Sequence, residues 1–513
     1  MPIKTYCRNQ TDLFPIKLDD MIKANDPVRL LDCLIEGIDM KRIFARYNKK
    51  GASAYDPKMM IKVIFYAYTL NIYSSRKIEE ALRSNIKFMW LSGMQTPDHN
   101  TINIFRTSKL QKPLKNIFSQ IVIQLEKEGL LNLEKAYTDG TKIEANANKY
   151  SFVWGKAIQT RFVKMASTLN EIWDYADQTC KREMEDKTPI LHTDITSEKI
   201  EEILSNIDQS MSSEDMDIKI KQKFRRIKKE YPQQIKKYEE QRAIIGEDRN
   251  SYSKTDPDAT FMRMKEDHMG NGQLKPAYNT QISTESEFIT NYTIHQSPTD
   301  TNTLIEHLEE YKEQYGHYPK DSICDAGYGS EENYLFAQEN NITPFIKYNY
   351  FHKEQTKKWQ EDHFNSSNFP YDKERDCCIC PMEQEMYYVG EKITKTKTGF
   401  IQKASLYQAK DCKNCQVRSQ CHKSSKNRVI QINHRLKKLK DKARELQLSE
   451  EGIKHRRKRP VEVEQTFGNL KQNKNFRRFS LRGLKKVEIE FGLLAIAHNI
   501  SKYCNKITPK MAI

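Results

Sequence analysis

Two aspartates and a glutamate have the residue types and positions that metal-assisted phosphodiester chemistry requires. Asp139 lies in the strand-like stretch AYTDGTKI, Asp325 follows the apolar residues of SICDAG, and Glu464 lies in the predicted helix VEVEQTFGNLK. Carboxylate oxygens are ligands that Mg²⁺ prefers. Two such ions about 4 Å apart activate a water or hydroxyl and stabilise the leaving oxygen. The three residues therefore predict a site for two Mg²⁺ ions, or Mn²⁺ in their place.

Each aspartate also has a simpler interpretation. An Asp-Gly pair between extended segments is typical of a hairpin, so Asp139 and Gly140 can be a turn. The alternative is that the strand ends at Asp139 and presents its carboxylate to a ligand. Asp325, with glycines at 327 and 329, is equally open to a turn. Neither aspartate alone decides between the two interpretations.

The segment around Glu464 predicts a helix that begins at Pro460. Residues at i, i+4 and i+7 predict its buried face; they are Val463, Phe467 and Leu470. Glu464, Gly468 and Lys471 share this spacing on an adjoining face, so the carboxylate and the ammonium are expected to point the same way. Lys471 and three nearby arginines are expected to neutralise phosphates. These arginines are Arg456, Arg457 and Arg459.

Glu462 competes with Glu464 for the role of third carboxylate. The two residues are two positions apart, so on a regular helix they point about 200° apart and cannot both face one metal site. Glu464 shares its face with a glycine and a lysine. Glu462 is simply explained as a favourable charge at a helix N-terminus. We therefore expect Glu464 to be the ligand and Glu462 to be dispensable for chemistry.

The charge of the chain favours a polyanionic partner. Its 513 residues include 85 Lys and Arg against 69 Asp and Glu, a formal net charge of +16. Such an excess indicates nucleic acid first and an anionic membrane surface second. The apolar runs 59–70 and 491–500 are too short to span a bilayer, and the N-terminus has no signal peptide. We therefore expect a cytoplasmic protein that binds double-stranded DNA, not a membrane.

The pattern of elements predicts a mixed α/β core interrupted by two insertions. Six segments follow: a helical N-terminal domain (1–130), the first part of the core (131–159), a charged helical insertion broken near Pro232 (160–258), the second part of the core (259–349), a cysteine-rich insertion (350–430), and a basic helical C-terminal part of the core (431–513).

The N-terminal segment is predicted to consist of short helices joined by tight turns. Ser74 or Ser75 is expected to cap one helix, and Asp98 or Asn100 another. Cationic residues on such helices suit a helix-turn-helix DNA reader, although a helical bundle with solvated charges explains them equally well. The candidate DNA-binding residues are Arg76, Lys77, Arg83 and Arg106.

The cysteine-rich insertion predicts a structural zinc site. Cys412 and Cys415 form a C-x2-C pair, which places two thiolates on one metal. Cys421 and Cys380 are expected to complete a tetrahedral site, with Cys378 and His422 as alternates. Four thiolates would leave no open position for a substrate, so the zinc would be structural. Reduced cysteines without a metal are the simpler alternative.

Three sequence blocks, in order, resemble the signature blocks of DDE transposases from bacterial insertion sequences. They are DGTKIEANANK, CDAGYGSEENY and VEQTFGNLK. The N-terminal helices, the cysteine-bearing segment and the ending RRFSLRGLKKVEIEFGLLAIAHNISKY resemble the same group. The resemblance implies a ribonuclease H-like catalytic fold with Asp139, Asp325 and Glu464 as the triad. Lys471 fits the E-x6-K pattern of the third block. The arginine of the family, four positions before the glutamate, is replaced by Pro460, and Arg459 is offset by one residue.

The resemblance also implies a reaction. A DDE transposase binds the terminal inverted repeats of its element, cleaves the ends with water and joins the 3′-hydroxyl ends to target DNA. It does so as a homo-oligomer that pairs the ends, in this case in the bacterial nucleoid. The alternatives are a ribonuclease H-like nuclease without strand transfer and a non-catalytic, zinc-stabilised DNA-binding regulator. DNA binding alone does not need three carboxylates, because carboxylates repel phosphate. The three acids therefore disfavour the regulator.

Overall fold

The computed structural model describes residues 17–47, 53–179, 196–210, 217–247, 249–264 and 272–511. Parts of the predicted N-terminal domain (1–16, 48–52) and of the predicted helical insertion (180–195, 211–216, 248) lie outside the described residues. The chain forms two compact units. One comprises Met1–Thr141, Asn279–His295 and Thr299–Ile513, and the other comprises Lys142–Tyr278 and Gln296–Pro298.

The helices are α1 (Pro27–Glu36), α2 (Lys41–Phe44), α3 (Pro57–Thr69), α4 (Ser75–Ser84), α5 (Ile86–Ser92), α6 (His99–Ile104), α7 (Leu114–Lys127), α8 (Gly155–Thr179), α9 (Ser197–Ser210), α10 (Ile218–Ile245), α11 (Leu304–Tyr315), α12 (Glu331–Glu339), α13 (Lys357–Gln360), α14 (Arg418–Cys421), α15 (His434–Leu448), α16 (Glu450–Arg459), α17 (Gln465–Gly468) and α18 (Leu484–Met511).

The strands are β1 (Lys135–Glu144), β2 (Phe152–Trp154), β3 (Ser251–Ser253), β4 (Thr260–Arg263), β5 (Leu274–Glu285), β6 (Phe288–His295), β7 (Asp321–Cys324), β8 (Thr343–Ile346), β9 (Tyr371–Asp372), β10 (Cys377–Ile379), β11 (Glu385–Lys395), β12 (Ile401–Ala409) and β13 (Val429–Ile432).

The N-terminal helices begin where capping residues satisfy their first N–H groups. Asp56 accepts from the Met59 N–H at the start of α3, and Asp98 accepts from the Thr101 N–H at the start of α6. Ser74 occupies the cap position of α4, as predicted, but its side chain makes no capping bond. Helix α3 is buried along nearly its whole length. It packs against α18, so the N-terminal helices share a core with the end of the chain.

The main sheet has the strand order β6-β5-β1-β7-β8. Strands β5 and β6 are antiparallel, whereas β1, β7 and β8 are parallel to one another. Helices α11, α12 and α15 share a hydrophobic core with β7 and β8. The predicted mixed α/β architecture is confirmed.

Strand β1 corrects both interpretations of Asp139. The strand runs without interruption through Asp139 and Gly140 to Glu144, so the Asp-Gly pair neither forms a hairpin turn nor ends the strand. A Cβ at position 140 would lie 2.3 Å from Nε2 of Gln281 and 2.9 Å from Oδ1 of Asp300. Glycine is present because two side chains approach the backbone closely.

The helix that carries Glu464 begins earlier than predicted. Ser449 caps α16 by accepting from the Gly452 N–H, and helical backbone continues through Pro460 to Asn473 by way of two π-helical segments, Pro460–Glu464 and Asn469–Asn473. Proline lacks the N–H of a regular turn and clashes with the carbonyl four residues before it, which the wider π turn relieves. Val463 joins the helix to the sheet in one hydrophobic cluster with Tyr137, Ile323 and Phe345.

The second unit contains most of the predicted helical insertion. Helices α8, α9 and α10 pack around a hydrophobic cluster that includes Phe162, Leu169 and Ile235. Helix α10 continues through Pro232, so the predicted break there is wrong. Strands β2 and β3 pair antiparallel, and β4 pairs antiparallel with residues 274–277 of β5.

The predicted cysteine-rich insertion folds around a small sheet of its own. Its five strands have the order β13-β12-β11-β10-β9, and all neighbouring pairs are antiparallel. Cys378, Met386 and Tyr407 lie in its hydrophobic core. Among the residues that the model describes, no helix is long and apolar enough to cross a membrane.

The packing of α18 gives a test of the fold. A Cβ at Gly492 would lie 2.2 Å from the hydroxyl oxygen of Tyr292 and 2.9 Å from Cδ2 of Leu114, and Tyr292 is fully buried. We expect Gly492→Ala to lower the free energy of unfolding by about 1–3 kcal/mol through overpacking. Gly468→Ala is the matched helical control, since nothing lies within 4 Å of its Cβ. It should be neutral or stabilising by about 0.5–1 kcal/mol. Thermal unfolding of the two variants measures the difference, and equal melting temperatures would contradict the described packing.

Candidate active site

Three predicted carboxylates converge on one guanidinium. The parallel register pairs Tyr137 with Ile323, so Asp139 lies two residues further along β1, and Asp325 follows directly after the end of the neighbouring strand β7. Nη2 of Arg459 lies 3.1 Å from Oδ1 of Asp139 and 4.0 Å from Oδ2 of Asp325. Nη1 of Arg459 lies 3.2 Å from Oε1 of Glu464. Two strands and one helix thus bring the three acids to a single cation.

The site is buried at one side and open at the other. The side chains of Asp139 and Arg459 are each 10% exposed, whereas those of Asp325 and Glu464 are 41% and 57% exposed. Nε and Nη2 of Arg459 are buried without a hydrogen-bond partner. Charge attraction, more than hydrogen-bond geometry, therefore holds the guanidinium among the acids. Arg459 was predicted to contact DNA phosphates, and its place at the centre of the carboxylates corrects that prediction.

Glu462 lies apart from this group and has a structural function. It is 1% exposed, and its carboxylate accepts from the N–H groups of Ser286 and Glu287 at 3.1 and 2.7 Å. Both of those residues have positive φ, as in a two-residue hairpin turn, and Lys458 pairs with Glu462 at 2.9 Å. Glu462 therefore anchors the β5–β6 turn. The interpretation as a charge at a helix N-terminus is wrong, because the helix begins at Glu450.

Asp300 is a fourth acid beside the site, and it is not among the acids predicted from the sequence. Its Oδ1 accepts from the side-chain amides of Asn279 at 2.7 Å and Gln281 at 3.1 Å. A Cβ at Gly140 would lie 2.9 Å from the same oxygen, which places Asp300 against the residue that follows Asp139. In the sequence, Asp300 lies in SPTDTNTL before α11, a position typical of a helix cap. This local pattern does not indicate the contacts with Asn279 and Gln281.

Lys347 is a second residue of the site that was not predicted from the sequence. It follows β8 directly, just as Asp325 follows the neighbouring parallel strand β7. Burial is the main cause that lowers its pKa, and the charges of Arg459 and Arg456 lower it further, while Asp325 and Glu464 oppose the shift. Lys347 thus shares the electrostatic environment of the site. Lys347 could have been identified from the sequence, because the ends of neighbouring parallel strands lie at the same edge of a sheet.

The predicted DNA-binding cations separate into two groups. Arg76, Lys77, Arg83 and Arg457 are exposed, and Arg456 is half-buried. Arg83 also pairs with Glu79 at 2.7 Å. Arg106 is 4% exposed and donates to the Tyr73 carbonyl at 2.8 Å and the Tyr68 hydroxyl at 3.1 Å. These contacts hold the Arg106 guanidinium inside the protein, where it is not available to contact DNA.

The four predicted zinc ligands line one small cavity of about 20 Å³. Cys380, Cys412, Cys415, Cys421 and His422 are among its lining residues. Arg428 donates to the sulfur of Cys421 at 2.7 Å. Both ring nitrogens of His422 are buried without a hydrogen-bond partner. The structure thus brings the four cysteines and the alternate ligand His422 together.

Comparison with protein families identifies two parts of the chain. Residues 379–504 match the family described as Transposase DDE domain, and residues 16–108 match the one described as Transposase domain (DUF772). The resemblance to DDE-type transposases of insertion sequences is confirmed. The DDE match contains Glu464, Lys471 and the four cysteines, so the proposed zinc ligands and the third acid fall within one transposase family model. A search of curated proteins and a search of solved structures each gave no match.

Relationship to transposases supports DNA transposition as the general function. Because a transposase acts on DNA, the two matches imply a DNA substrate. The DDE match begins after Asp139 and Asp325, so these two positions rest on the geometry described above.

The arrangement around Arg459 predicts a metal-dependent stability. In Arg459→Gln the acids lose their cation, and breaking a buried ion pair costs about 3–5 kcal/mol. Because Asp325 and Glu464 are partly solvated, we expect a smaller loss of about 1–3 kcal/mol. Mg²⁺ should restore part of the melting temperature by replacing the lost positive charge.

Arg457→Gln is the matched control, because Arg457 is exposed on the same helix. Thermal unfolding with Mg²⁺ and with a chelator measures both effects. An Arg459→Gln variant as stable as Arg457→Gln in the chelator would contradict the compensating role of Arg459.

Proposed function

We propose that this protein is the transposase of an insertion sequence: it binds the terminal inverted repeats, cleaves the DNA ends by metal-assisted hydrolysis and joins the 3′-hydroxyl ends to target DNA. One observation carries the proposal. Asp139, Asp325 and Glu464 are remote in sequence, yet all three have a carboxylate oxygen within 4.0 Å of Arg459. Three carboxylates at one point repel one another and also repel phosphate. A protein that only binds a polyanion has no use for such a cluster.

The strand order supports a ribonuclease H-like core. Strands β1, β5 and β6 lie side by side in the order β6-β5-β1, and β7 and β8 extend the other edge of β1 in parallel. In this order the first acid lies on the central strand and the second lies at the end of its parallel neighbour. The third acid comes from a helix that packs on the same strands through Val463.

The donor set fits the predicted Mg²⁺ ions. Three carboxylates supply only oxygen ligands, which suits a hard cation, and the exposure of Asp325 and Glu464 leaves room for water and substrate. Asp139, Asp325 and Glu464 would hold the metal. When bound, the metal activates a water or a 3′-hydroxyl and stabilises the leaving oxygen.

Cationic side chains of the chain would position the phosphodiester. Lys347 lies in the electrostatic environment of the site, and Lys471 and Arg457 lie on the helical segment that carries Glu464. Such cations neutralise phosphate oxygens and hold the strand in place. The open space beside Gly468 allows the backbone of the strand to approach the helix. Arg459 would hold Asp139 and Glu464 in position before the metal arrives.

Recognition of the element ends is assigned to the N-terminal helices. Arg76, Lys77 and Arg83 are exposed on α4, and the transposase match covers this region. Because α3 packs against α18, the full chain and not an N-terminal fragment is the appropriate material for binding experiments. We further propose that the protein acts as a homo-oligomer that pairs two ends.

Substitution of the acids tests the proposed chemistry. Asp139→Asn, Asp325→Asn and Glu464→Gln should each abolish Mg²⁺-dependent cleavage of DNA carrying the element ends. Loss of a metal ligand removes several kcal/mol of transition-state stabilisation. Binding of the same DNA, measured by gel shift at fixed salt, should remain nearly unchanged.

Glu462→Gln is the matched control, with the same charge change two residues away. Its amide oxygen can still accept from the β5–β6 turn, so the folded variant should cleave. A dead Glu462→Gln or an active Glu464→Gln would refute the assignment of the third acid. Cleavage without joining of paired 3′-hydroxyl ends to target DNA would instead identify a nuclease.

We also propose that Cys380, Cys412, Cys415 and Cys421 hold one structural Zn²⁺. The support is their shared cavity and the preference of Zn²⁺ for four thiolates. His422 is the alternate ligand, since its ring nitrogens are buried and without partners.

Metal analysis tests this zinc site. The double variant Cys412→Ser, Cys415→Ser should lose about one Zn²⁺ per chain and melt at lower temperature, because metal binding contributes to folding. Cys33→Ser is the control, since Cys33 is exposed and far along the chain on α1. Unchanged zinc content in the double variant would refute the site.

A further inference from the structure

A second group of potential metal ligands lies away from the carboxylates around Arg459. Among the residues that the model describes, Asp321, Glu451 and His455 have ligand atoms that all lie within 4.8 Å of one another. Asp321 opens β7, and the other two residues are spaced i, i+4 on α16. Asp325 follows Asp321 by four residues, which is roughly 13 Å along a strand. The two groups are therefore separate sites.

His455 provides the observation that points to a ligand. The residue is 4% exposed, and its Nδ1 lies 2.8 Å from the Tyr137 hydroxyl. Its Nε2 is buried without a hydrogen-bond partner. This nitrogen faces Oδ2 of Asp321 at 3.8 Å and Oε1 of Glu451 at 3.7 Å, too far for a hydrogen bond to either. A buried ring nitrogen is thus aimed between two carboxylates and bonded to neither.

The separations and surroundings suit a shared cation. Ligand atoms at about 2.0–2.2 Å from a tetrahedral Zn²⁺ are roughly 3.3–3.6 Å apart, so a small closure of the group would complete the geometry. The bond of Nδ1 to Tyr137 fixes the ring orientation, as the outer partners of metal-bound histidines do. Burial is the main cause that lowers the pKa of His455, and metals bind the neutral form of an imidazole.

The donor set also selects the kind of ion. An imidazole nitrogen with two carboxylates suits Zn²⁺, whereas Mg²⁺ takes oxygen ligands. The side chain of Glu451 is 60% exposed, so water has access to a fourth position. The nearby charges are those of Lys135 and Lys458 as well as the two acids, and Lys458 is already paired with Glu462.

We propose that Asp321, Glu451 and His455 bind one Zn²⁺ ion that fastens the start of α16 to the first residue of β7. His455 lies one helical turn before Arg459, so the site would fix the helix that carries Arg459 and Glu464. The inference is independent of the cleavage chemistry, because it concerns metal content and stability in the absence of DNA.

Zinc content of the full chain tests the proposal. After equilibration with micromolar Zn²⁺ and removal of free ion, Glu451→Gln and His455→Gln should each contain about one Zn²⁺ per chain fewer than the unmodified protein. Their affinity for this ion should fall at least about tenfold. Glu450→Gln is the matched control, since Glu450 is 87% exposed on the adjacent position. It should keep its zinc.

Co²⁺ as a probe separates this site from the cysteines and from the catalytic acids. In the Cys412→Ser, Cys415→Ser background, bound Co²⁺ should give visible bands without sulfur charge transfer. Glu451→Gln should remove these bands, and Glu464→Gln should not. Because Glu451 is largely exposed, its variant keeps the test valid even if His455→Gln fails to fold. Unchanged zinc in folded Glu451→Gln, or bands lost only with Glu464→Gln, would overturn the proposal and leave His455 as a structural neighbour of two acids.

Discussion

The repulsion between gathered carboxylates is the constraint on which the active-site region depends. Asp139, Asp325 and Glu464 each bring a negative charge to one place, and Asp139 is almost buried there. Close like charges destabilise one another strongly where water is scarce. Arg459 supplies a compensating charge that lies within 4.0 Å of all three. The guanidinium is incompletely hydrogen-bonded, so charge attraction is the main interaction that holds it among the acids.

The sequence predicted the elements that depend on neighbouring residues and missed those that depend on distant ones. The mixed architecture, the Asp98 cap and the end of β7 before Asp325 follow from local patterns, and the structure confirms them. A turn and a strand end were both possible at Gly140, and the strand through it was not predicted, because the side chains of Gln281 and Asp300 that require a glycine lie far along the chain. Arg106 was misread as a DNA contact for a similar reason, since local sequence does not reveal that Tyr68 and Tyr73 enclose its guanidinium.

One helical segment connects several features of the first unit. The stretch from Glu450 to Asn473 carries Glu451 and His455 near its start, Arg459 and Glu464 in the middle, and Glu462 against the β5–β6 turn. Val463 fixes this segment to β1, β7 and β8. Residues that serve different purposes therefore lie on one continuous helical segment.

The π turn resolves the mismatch at Pro460. The transposase pattern has an arginine four residues before the glutamate, which is one turn of a regular α-helix. Here the arginine is five residues before Glu464, an offset that would rotate it off the common face. The segment Pro460–Glu464 is π-helical, and in a π turn residues five apart are the ones that bond. Arg459 accordingly reaches Glu464 at 3.2 Å. Pro460 occupies the position of the arginine in the transposase pattern, so the arginine is displaced by one residue to Arg459. Pro460 also lies in the wider π turn, which returns the Arg459 side chain to the acids.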